Sequence, residues 1–293
     1  MVNFKRFMKL VIGTANFLRK YSHTNQVVGK KEIVKILNFA YSKKIKSIDT
    51  AFEYDKFYQV SKEVDLNRFE ISSKINFSKQ VIKKIDFEKK YFNIIINRLK
   101  LFKIKKFENL FVHNFDELGH KDLKKIKLLF LKLKKEKIIN NIGISIYDVK
   151  TLNKIKYFDC INIIQTPINL FDRRFIKKNI LNFLKKKSIK LQARSIFLQG
   201  FLLEKLENLT KTQFKKNKTF KSYNSWINKK NRQPLKTCLD FIKSQTNIYN
   251  AVVGINNIQQ LKEIVKLTRS KKKLNFPKKI LTSEKKIIDP RKW

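Results

Sequence analysis

Four residues that can move or orient a proton stand at the ends of three successive apolar segments. Asp49 ends the first segment and Tyr54 follows it five residues later, Lys74 closes the second segment, and His113 closes the third. In a parallel β-barrel the carboxyl ends of all strands open onto one face. If each segment is a strand of such a barrel, the four side chains meet at one site.

Together these side chains could protonate a substrate oxygen. The phenol of tyrosine is a weak acid with an unperturbed pKa of about 10. An ammonium group nearby stabilises the phenolate and lowers that pKa, and a carboxylate can hold the ammonium in place. We therefore expect Lys74 and Asp49 to lower the pKa of Tyr54, and His113 to orient a carbonyl group while Tyr54 donates a proton. Taken singly, each of these residues is more often a packing or surface residue.

The elements that must position these residues alternate along the chain. Apolar runs typical of buried strands occupy residues 9–17, 46–50, 68–75, 109–114, 138–147, 160–165, 190–195 and 250–255. Helices are predicted at 30–44, 91–102, 121–137, 148–156, 174–186, 235–244 and 257–269, with a further short helix within 55–67. Eight strand and helix pairs in 293 residues predict an α/β protein, a single-domain (β/α)8 TIM barrel.

Two regions stand outside this alternation. Residues 204–233 are rich in Lys, Asn, Thr and Ser, and we expect a long, mobile loop with a short helix. Residues 275–293 form a basic tail that contains two prolines and is too irregular to predict an element.

The net charge of +45 raises the question of an anionic partner. Nucleic acid and an anionic membrane surface are the two candidates. Lys, Asn, Ile and Phe are, however, abundant together, as a coding bias toward A and T would produce. The lysines also fall on the polar side of nearly every predicted helix, whereas a dedicated binding surface would cluster them. We expect only nonspecific, salt-sensitive attraction to nucleic acid.

Cysteine spacing, hydropathy and glycine content argue against several other classes of protein. Cys160 and Cys238 are far apart and belong to no Cys/His cluster, so we expect neither a metal site nor a disulfide framework. No run approaches the roughly 18 uncharged apolar residues of a membrane span, and the basic N-terminus runs directly into a strand. We therefore expect a soluble, cytoplasmic protein. With six glycines and no G-x-G-x-x-G motif, a doubly wound dinucleotide-binding domain is disfavoured.

Short motifs in order along the chain carry a family resemblance. The run Asp49-Thr50-Ala51-x-x-Tyr54, then Lys74 after a strand, then Val112-His113-Asn114, resembles the catalytic tetrad of the aldo-keto reductases. The similarity extends to Gly13-Thr14-Ala15, Ile142-Gly143-Ile144-Ser145, Gln165-Thr166-Pro167-Ile168-Asn169 and Val253-Gly254, over about residues 9–269. The segment 193–200, Ala-Arg-Ser-x-Phe-x-Gln-Gly, is similar to a bacterial branch of the family.

The resemblance implies an NAD(P)H-dependent enzyme that reduces an aldehyde or ketone, or oxidises the alcohol. It implies that Tyr54 is the general acid, that Lys74 and Asp49 lower its pKa, and that His113 orients the substrate. The implied cofactor contacts are Gly13, Thr14, Asp49, Ser145, Gln165, Arg194, Ser195, Gly254, Asn256, Gln260 and Glu263. Among them Ser145 and Gln165 match positions that hold the carboxamide. Arg194 departs from the family, since many members stack an aromatic ring on the nicotinamide there.

The resemblance leaves the cofactor and the substrate open. Residues 254–257 lack the basic and hydroxyl side chains that clasp a 2′-phosphate in many NADP-preferring members, so NADP(H) is the expected cofactor and NAD(H) the alternative. A sugar-like substrate is suggested by the bacterial branch, and Arg194 would suit an anionic one. Two other functions are compatible with the sequence: a catalytically silent, redox-sensing subunit that binds a nicotinamide, and a nonspecific nucleic-acid binder.

Overall fold

Eight short parallel strands form the centre of the molecule, in a computed structural model that describes residues 8–21, 25–54, 56–229, 231–269 and 275–293. The strands are β1 (Lys9–Gly13), β2 (Ser47–Asp49), β3 (Glu70–Ile75), β4 (Phe107–Val112), β5 (Ile139–Ser145), β6 (Ile163–Pro167), β7 (Lys190–Arg194) and β8 (Ile248–Gly254). Each pairs with the next, and β8 pairs with β1, which closes the barrel. The predicted (β/α)8 TIM barrel is confirmed.

Helices surround the barrel and cover its outer face. They are α1 (Lys30–Ser42), α2 (Lys79–Ile82), α3 (Phe87–Phe102), α4 (His120–Lys135), α5 (Lys178–Lys186), α6 (Thr212–Lys216), α7 (Lys218–Lys229), α8 (Pro234–Ser244), α9 (Ile258–Arg269) and α10 (Lys285–Ile288). The stripe of α4, with Leu123, Ile126, Phe130 and Leu133, is fully buried, and most of its lysines are exposed. The core therefore lies between the helices and strands that are apolar on their facing sides.

Several predicted helices are 3₁₀ turns in the structure. Residues 148–156 become the 3₁₀ helix Val149–Tyr157, and the start of 174–186 becomes the 3₁₀ turn Arg174–Ile176, which precedes α5. The short helix predicted within 55–67 becomes two 3₁₀ segments, Phe57–Lys62 and Leu66–Arg68, while Asp55 lies outside the described residues. Such short segments have too few turns for hydrophobic periodicity to separate an α-helix from a 3₁₀ helix.

Region 204–233 is more ordered in secondary structure than its composition suggests, so the predicted long loop is wrong. It holds the 3₁₀ turn Leu206–Asn208, then α6, then the 12-residue α7. The aromatic residues of α7 recur at helical spacing, and Phe220, Tyr223 and Ile227 bury one face. The abundance of lysine and asparagine obscured this stripe in the sequence.

The tail also adds elements, which corrects the expectation that residues 275–293 contain none. It forms the 3₁₀ turn Lys278–Ile280, α10, and a final 3₁₀ turn at Pro290–Lys292. Ile280, Ile287 and Ile288 are buried. The ring of Trp293 lies 5.3 Å from Phe201 and 5.3 Å from Phe214, which attaches the chain end to the segments after β7. Among the described residues, no helix combines the length and apolarity needed to cross a membrane.

A close approach between β4 and β5 can be tested for its contribution to stability. A Cβ atom added at Gly143 would lie 2.4 Å from Cδ1 and 3.0 Å from Cγ of Phe111, whose side chain is fully buried. Because this ring cannot move without disturbing the core, we expect Gly143→Ala to lower the free energy of unfolding by about 1–3 kcal/mol, measured by urea denaturation.

Gly29→Ala is the matched control. Gly29 precedes α1 with φ −73°, which alanine adopts readily, and an added Cβ there meets no atom within 4 Å. Its effect should stay below about 1 kcal/mol. Equal stability of the two variants would contradict the close packing at Gly143.

Candidate active site

A cavity of about 490 Å³ opens at the carboxyl ends of the strands. This size is typical of sites for small molecules and cofactors. Of the residues that the sequence predicted for the site, all except Ser145 line it: Gly13, Thr14, Asp49, Tyr54, Lys74, His113, Gln165, Arg194, Ser195, Gly254, Asn256, Gln260 and Glu263. Ser145 is buried at the end of β5, directly opposite Gln165 in the sheet register. The fold therefore gathers residues from across the chain at one mouth of the barrel.

A buried ion pair stands at the base of this cavity. Lys74 Nζ donates hydrogen bonds to Asp49 Oδ2 at 2.5 Å and to the Thr50 carbonyl oxygen at 3.1 Å. Gln165 Nε2 donates to the other carboxylate oxygen of Asp49 and to Gln192 Oε1, both at 2.7 Å. Burial lowers the pKa of Lys74, and the charge and hydrogen bond of Asp49 act against that effect. Both oxygens of the carboxylate are thus hydrogen-bonded, as a buried charge requires.

The environment of Tyr54 differs from the expected one. Burial raises its pKa well above the ordinary value, Tyr21 and Asp49 add to the rise, and Arg19 acts in the opposite direction. Lys74 Nζ lies 6.0 Å from the ring centroid. The expectation that Lys74 and Asp49 lower the pKa of Tyr54 is therefore wrong for this structure. Burial is the largest cause of the rise, and the negative charge of Asp49 adds to it.

His113 is held by a neighbouring carboxylate. Its backbone N–H donates to the Ile75 carbonyl oxygen at 2.9 Å, which fixes the position where it leaves β4. Its Nδ1 lies 3.2 Å from Glu53 Oε2. Burial raises the pKa of the Glu53 carboxyl, but the hydrogen bond and charge of His113 outweigh it, so that pKa lies below its ordinary value. Glu53 directly precedes Tyr54 in the chain. The contact between Glu53 and His113 therefore joins the segments that follow β2 and β4.

Two buried polar atoms test whether a nicotinamide cofactor fits this site. Ser145 Oγ and Gln165 Oε1 are shielded from solvent and have no hydrogen-bond partner among the described residues. A primary carboxamide offers two N–H donors and one carbonyl acceptor. The carbonyl oxygen of Gln165 can accept from such an amide, and the hydroxyl of Ser145 can donate to it or accept from it. These neighbouring groups therefore fit the amide of a nicotinamide.

The far side of the cavity is built around the start of α9. Asn16 Nδ2 donates to Asn256 Oδ1 at 2.7 Å, and the Asn256 N–H donates to Gln260 Oε1 at 2.8 Å. Glu263 accepts a hydrogen bond from Gln233 Nε2 at 2.6 Å. Polar side chains thus line this side, in positions that could contact the ribose and adenine of a dinucleotide.

The backbone after β7 turns sharply along the cavity wall. Ser195, Leu198 and Gln199 have φ values of 52°, 49° and 54°, and Gly200 has φ 96°. Left-handed backbone at residues other than glycine is uncommon and clusters at binding sites. The turn brings Ser195, Gln199 and Gly200 to the cavity directly after Arg194.

Arg194 and a residue of the tail share one aromatic ring. The guanidinium carbon of Arg194 lies 3.9 Å from the Tyr147 ring centroid, and that of Arg291 lies 3.8 Å from it. Two such groups at these distances occupy opposite faces of the ring. The stacking fixes Arg194 in the cavity wall.

Residues of this site that sequence reasoning missed include Arg19, Tyr21, Glu53, Tyr147 and Arg291. Glu53 and Tyr147 follow strand ends within four residues, so the rule that selected Tyr54 could have found them. Arg19, whose guanidinium lies 4.9 Å from the Tyr54 ring, and Tyr21 lie in the connection between β1 and α1. Arg291 comes from the tail, and no spacing rule relates it to a strand.

The geometry agrees with comparisons to known proteins. The family model described as the Aldo/keto reductase family matches residues 9–276. No curated protein sequence matches the chain.

Three solved structures share the fold. The chain is similar to a thermostable aldo-keto reductase solved with the inhibitor epalrestat, with a TM-score of 0.65 and 18% identity, over 95% of each chain. An aldo/keto reductase from Klebsiella pneumoniae, solved with NADP and acetate, has a TM-score of 0.65 and 14% identity, over 90% of this chain and 87% of that chain. A glycerol dehydrogenase from Gluconobacter oxydans has a TM-score of 0.65 and 16% identity, with coverages of 91% and 88%. At these identities the structural likeness concerns the fold, whereas the family model covers most of the sequence: the chain belongs to the aldo/keto reductase family and is an NAD(P)H-dependent oxidoreductase.

Proposed function

We propose that this protein reduces an aldehyde or ketone to the alcohol, with Tyr54 as the general acid. The observation that carries the proposal is the placement of Tyr54, Lys74, Asp49 and His113 around one cavity at the strand ends. A bound nicotinamide cofactor supplies the hydride for the carbonyl carbon. NADP(H) is the proposed cofactor, in line with the NADP-bound relative from Klebsiella pneumoniae, and NAD(H) is the alternative. The likeness to a glycerol dehydrogenase supports a polyhydroxylated, sugar-like substrate.

The raised pKa of Tyr54 suits a proton donor. A phenol with a raised pKa keeps its proton at neutral and mildly alkaline pH, so the acid form is present under all ordinary conditions. As the carbonyl is reduced, its oxygen becomes an alkoxide, a stronger base than phenolate, and it takes the proton from the Tyr54 hydroxyl. Arg19 and Lys74 lie 4.9 and 6.0 Å from the ring centroid, so their charges would stabilise the phenolate that remains.

His113 would orient the carbonyl oxygen toward Tyr54. An ionised carboxylate can only accept hydrogen bonds, so Glu53 places a proton on Nδ1 of His113. In the neutral ring the opposite nitrogen, Nε2, is then an acceptor, and it donates to a carbonyl oxygen only in the form that carries both ring protons. Glu53 thus acts through His113 as a positioning residue.

Tyr54→Phe tests the proposed acid. It removes one hydroxyl and keeps the ring, so we expect kcat/KM for carbonyl reduction to fall by at least about 100-fold, while the Kd for NADPH is unchanged. Turnover is measured as NADPH consumption with a panel of aldehydes and ketones. Because the pKa of Tyr54 is raised, ionisation of Tyr54 itself should cause no fall in the wild-type rate as the pH rises toward the ordinary tyrosine pKa of about 10.

Tyr249→Phe is the control. Tyr249 lies near the start of β8, at the opposite end of the barrel, with its ring beside Lys9 and Lys190. It should leave kcat/KM unchanged. Undiminished turnover in Tyr54→Phe would refute the mechanism, and tight NADPH binding without turnover on any carbonyl would favour the redox-sensing subunit.

Glu53→Leu tests the orientation of His113. With ¹⁵N-labelled histidine, NMR should place the proton of the neutral wild-type ring on Nδ1, and the variant should lose this preference because the acceptor is gone. We also expect a lower kcat in the variant. Glu117→Leu, an exposed carboxylate four residues after His113, should change neither quantity. An unchanged tautomer in Glu53→Leu would show that the contact does not orient the ring.

A further inference from the structure

Arg194 has an unused hydrogen-bond donor in the cavity wall. Its Nη2 is shielded from solvent and has no partner among the described residues, and Arg194 takes part in none of the ion pairs that those residues form. A shielded guanidinium nitrogen without a hydrogen-bond partner is unfavourable, because its hydration is lost without compensation. The group is therefore poised to bind an anion that enters the cavity.

The second arginine on the same ring is already neutralised. Arg291 donates two hydrogen bonds to the Asp289 carboxylate, from Nε at 2.9 Å and from Nη2 at 2.7 Å, and its Nη1 lies 3.5 Å from Asp116. Arg291 therefore stacks on one face of the Tyr147 ring with its charge compensated. Arg194 stacks on the other face, and its charge is not compensated by an ion pair among the described residues. The aromatic ring fixes the plane of the Arg194 guanidinium and reduces the entropy that it loses on binding an anion.

Arg194 lies near the reacting groups. It ends β7 two residues after Gln192, which is hydrogen-bonded to Gln165 and through it to Asp49. Its charge also contributes to the pKa of Tyr21 and of Lys74, which places it at the catalytic side of the cavity. The planar guanidinium matches the geometry of a carboxylate or a phosphate.

We propose that Arg194 binds the anionic group of the carbonyl substrate, so that the substrate is an acidic aldehyde or ketone that carries a carboxylate or a phosphate. This inference rests on the proposed carbonyl reduction. The net charge of +45 gives the molecule an attractive field for such substrates, which raises their rate of encounter at low ionic strength.

A matched pair of aldehydes provides the test. 4-Carboxybenzaldehyde and its methyl ester carry the same reacting group and differ in charge. We expect the wild-type protein to reduce the acid with a kcat/KM at least about 10-fold above that for the ester, because a charged partner strengthens the hydrogen bonds of Arg194. Arg194→Gln should bring the acid-to-ester ratio of kcat/KM to about 1, while Arg194→Lys should retain part of the preference because the charge remains.

Arg232→Gln is the control, since the Arg232 guanidinium also stacks on an aromatic ring, that of Trp226, and does not line the cavity. It should leave both substrates unchanged. The Kd for NADPH separates the two sources of an anion. If Arg194→Gln weakens NADPH binding and reduces turnover of acid and ester alike, Arg194 binds a cofactor phosphate and the proposal is overturned. Equal wild-type kcat/KM for acid and ester overturns it as well, without affecting the proposed reductase activity.

Calorimetry with benzoate keeps the inference testable if neither aldehyde is reduced. Benzoate is titrated into the NADPH complexes of the wild-type protein and of Arg194→Gln. Binding that is lost in the variant would support the anion site even though the proposed function had failed. Absence of benzoate binding to the wild-type complex would overturn the anion site.

Discussion

The buried ion pair between Lys74 and Asp49 is the interaction on which the site depends. It joins β3 to β2, and Gln165 extends it to β6 and, through Gln192, to β7. Removing one partner of such a pair leaves an uncompensated charge in the protein interior, which costs several kcal/mol. The same contacts that place Lys74 beside Tyr54 therefore also hold four strand ends in register at the barrel mouth.

Burial decides the acidity of Tyr54, the proposed general acid. It raises the pKa of the phenol, Asp49 adds to the rise, and Arg19 acts against it. In the proposed mechanism Tyr54 is a neutral proton donor, and Arg19 and Lys74, 4.9 and 6.0 Å from its ring centroid, would stabilise the phenolate after the proton leaves. Glu53, whose Oε2 lies 3.2 Å from His113 Nδ1, gives the His113 ring a defined orientation. Acid and orienting group are thus prepared by different carboxylates, Asp49 and Glu53.

Much of the fold and the site could be predicted because both follow from short-range patterns. Buried parallel strands are nearly continuous apolar runs, and residues at their carboxyl ends must meet, so the sequence alone predicts that Asp49, Lys74 and His113 lie together. The sign of the pKa shift at Tyr54 could not be predicted in this way, because it depends mainly on the depth of burial of the phenol, which no local sequence pattern gives. The role of the tail could not be predicted either, because Arg291 stacks on Tyr147, a residue 144 positions away in the sequence. In α7 the helical stripe was present in the sequence but was obscured by polar composition.

A double-mutant cycle on the buried pair tests the account most directly. The free energy of unfolding and kcat/KM are measured for the wild-type protein, Asp49→Asn, Lys74→Met and the double variant. We predict that each single substitution lowers the free energy of unfolding by about 3–5 kcal/mol, since each leaves one buried polar partner uncompensated. The double variant should recover most of that loss through a coupling of at least about 2 kcal/mol, yet remain catalytically impaired because Lys74 no longer stabilises the Tyr54 phenolate. Losses in stability that simply add in the double variant, or full activity without Lys74, would contradict the account.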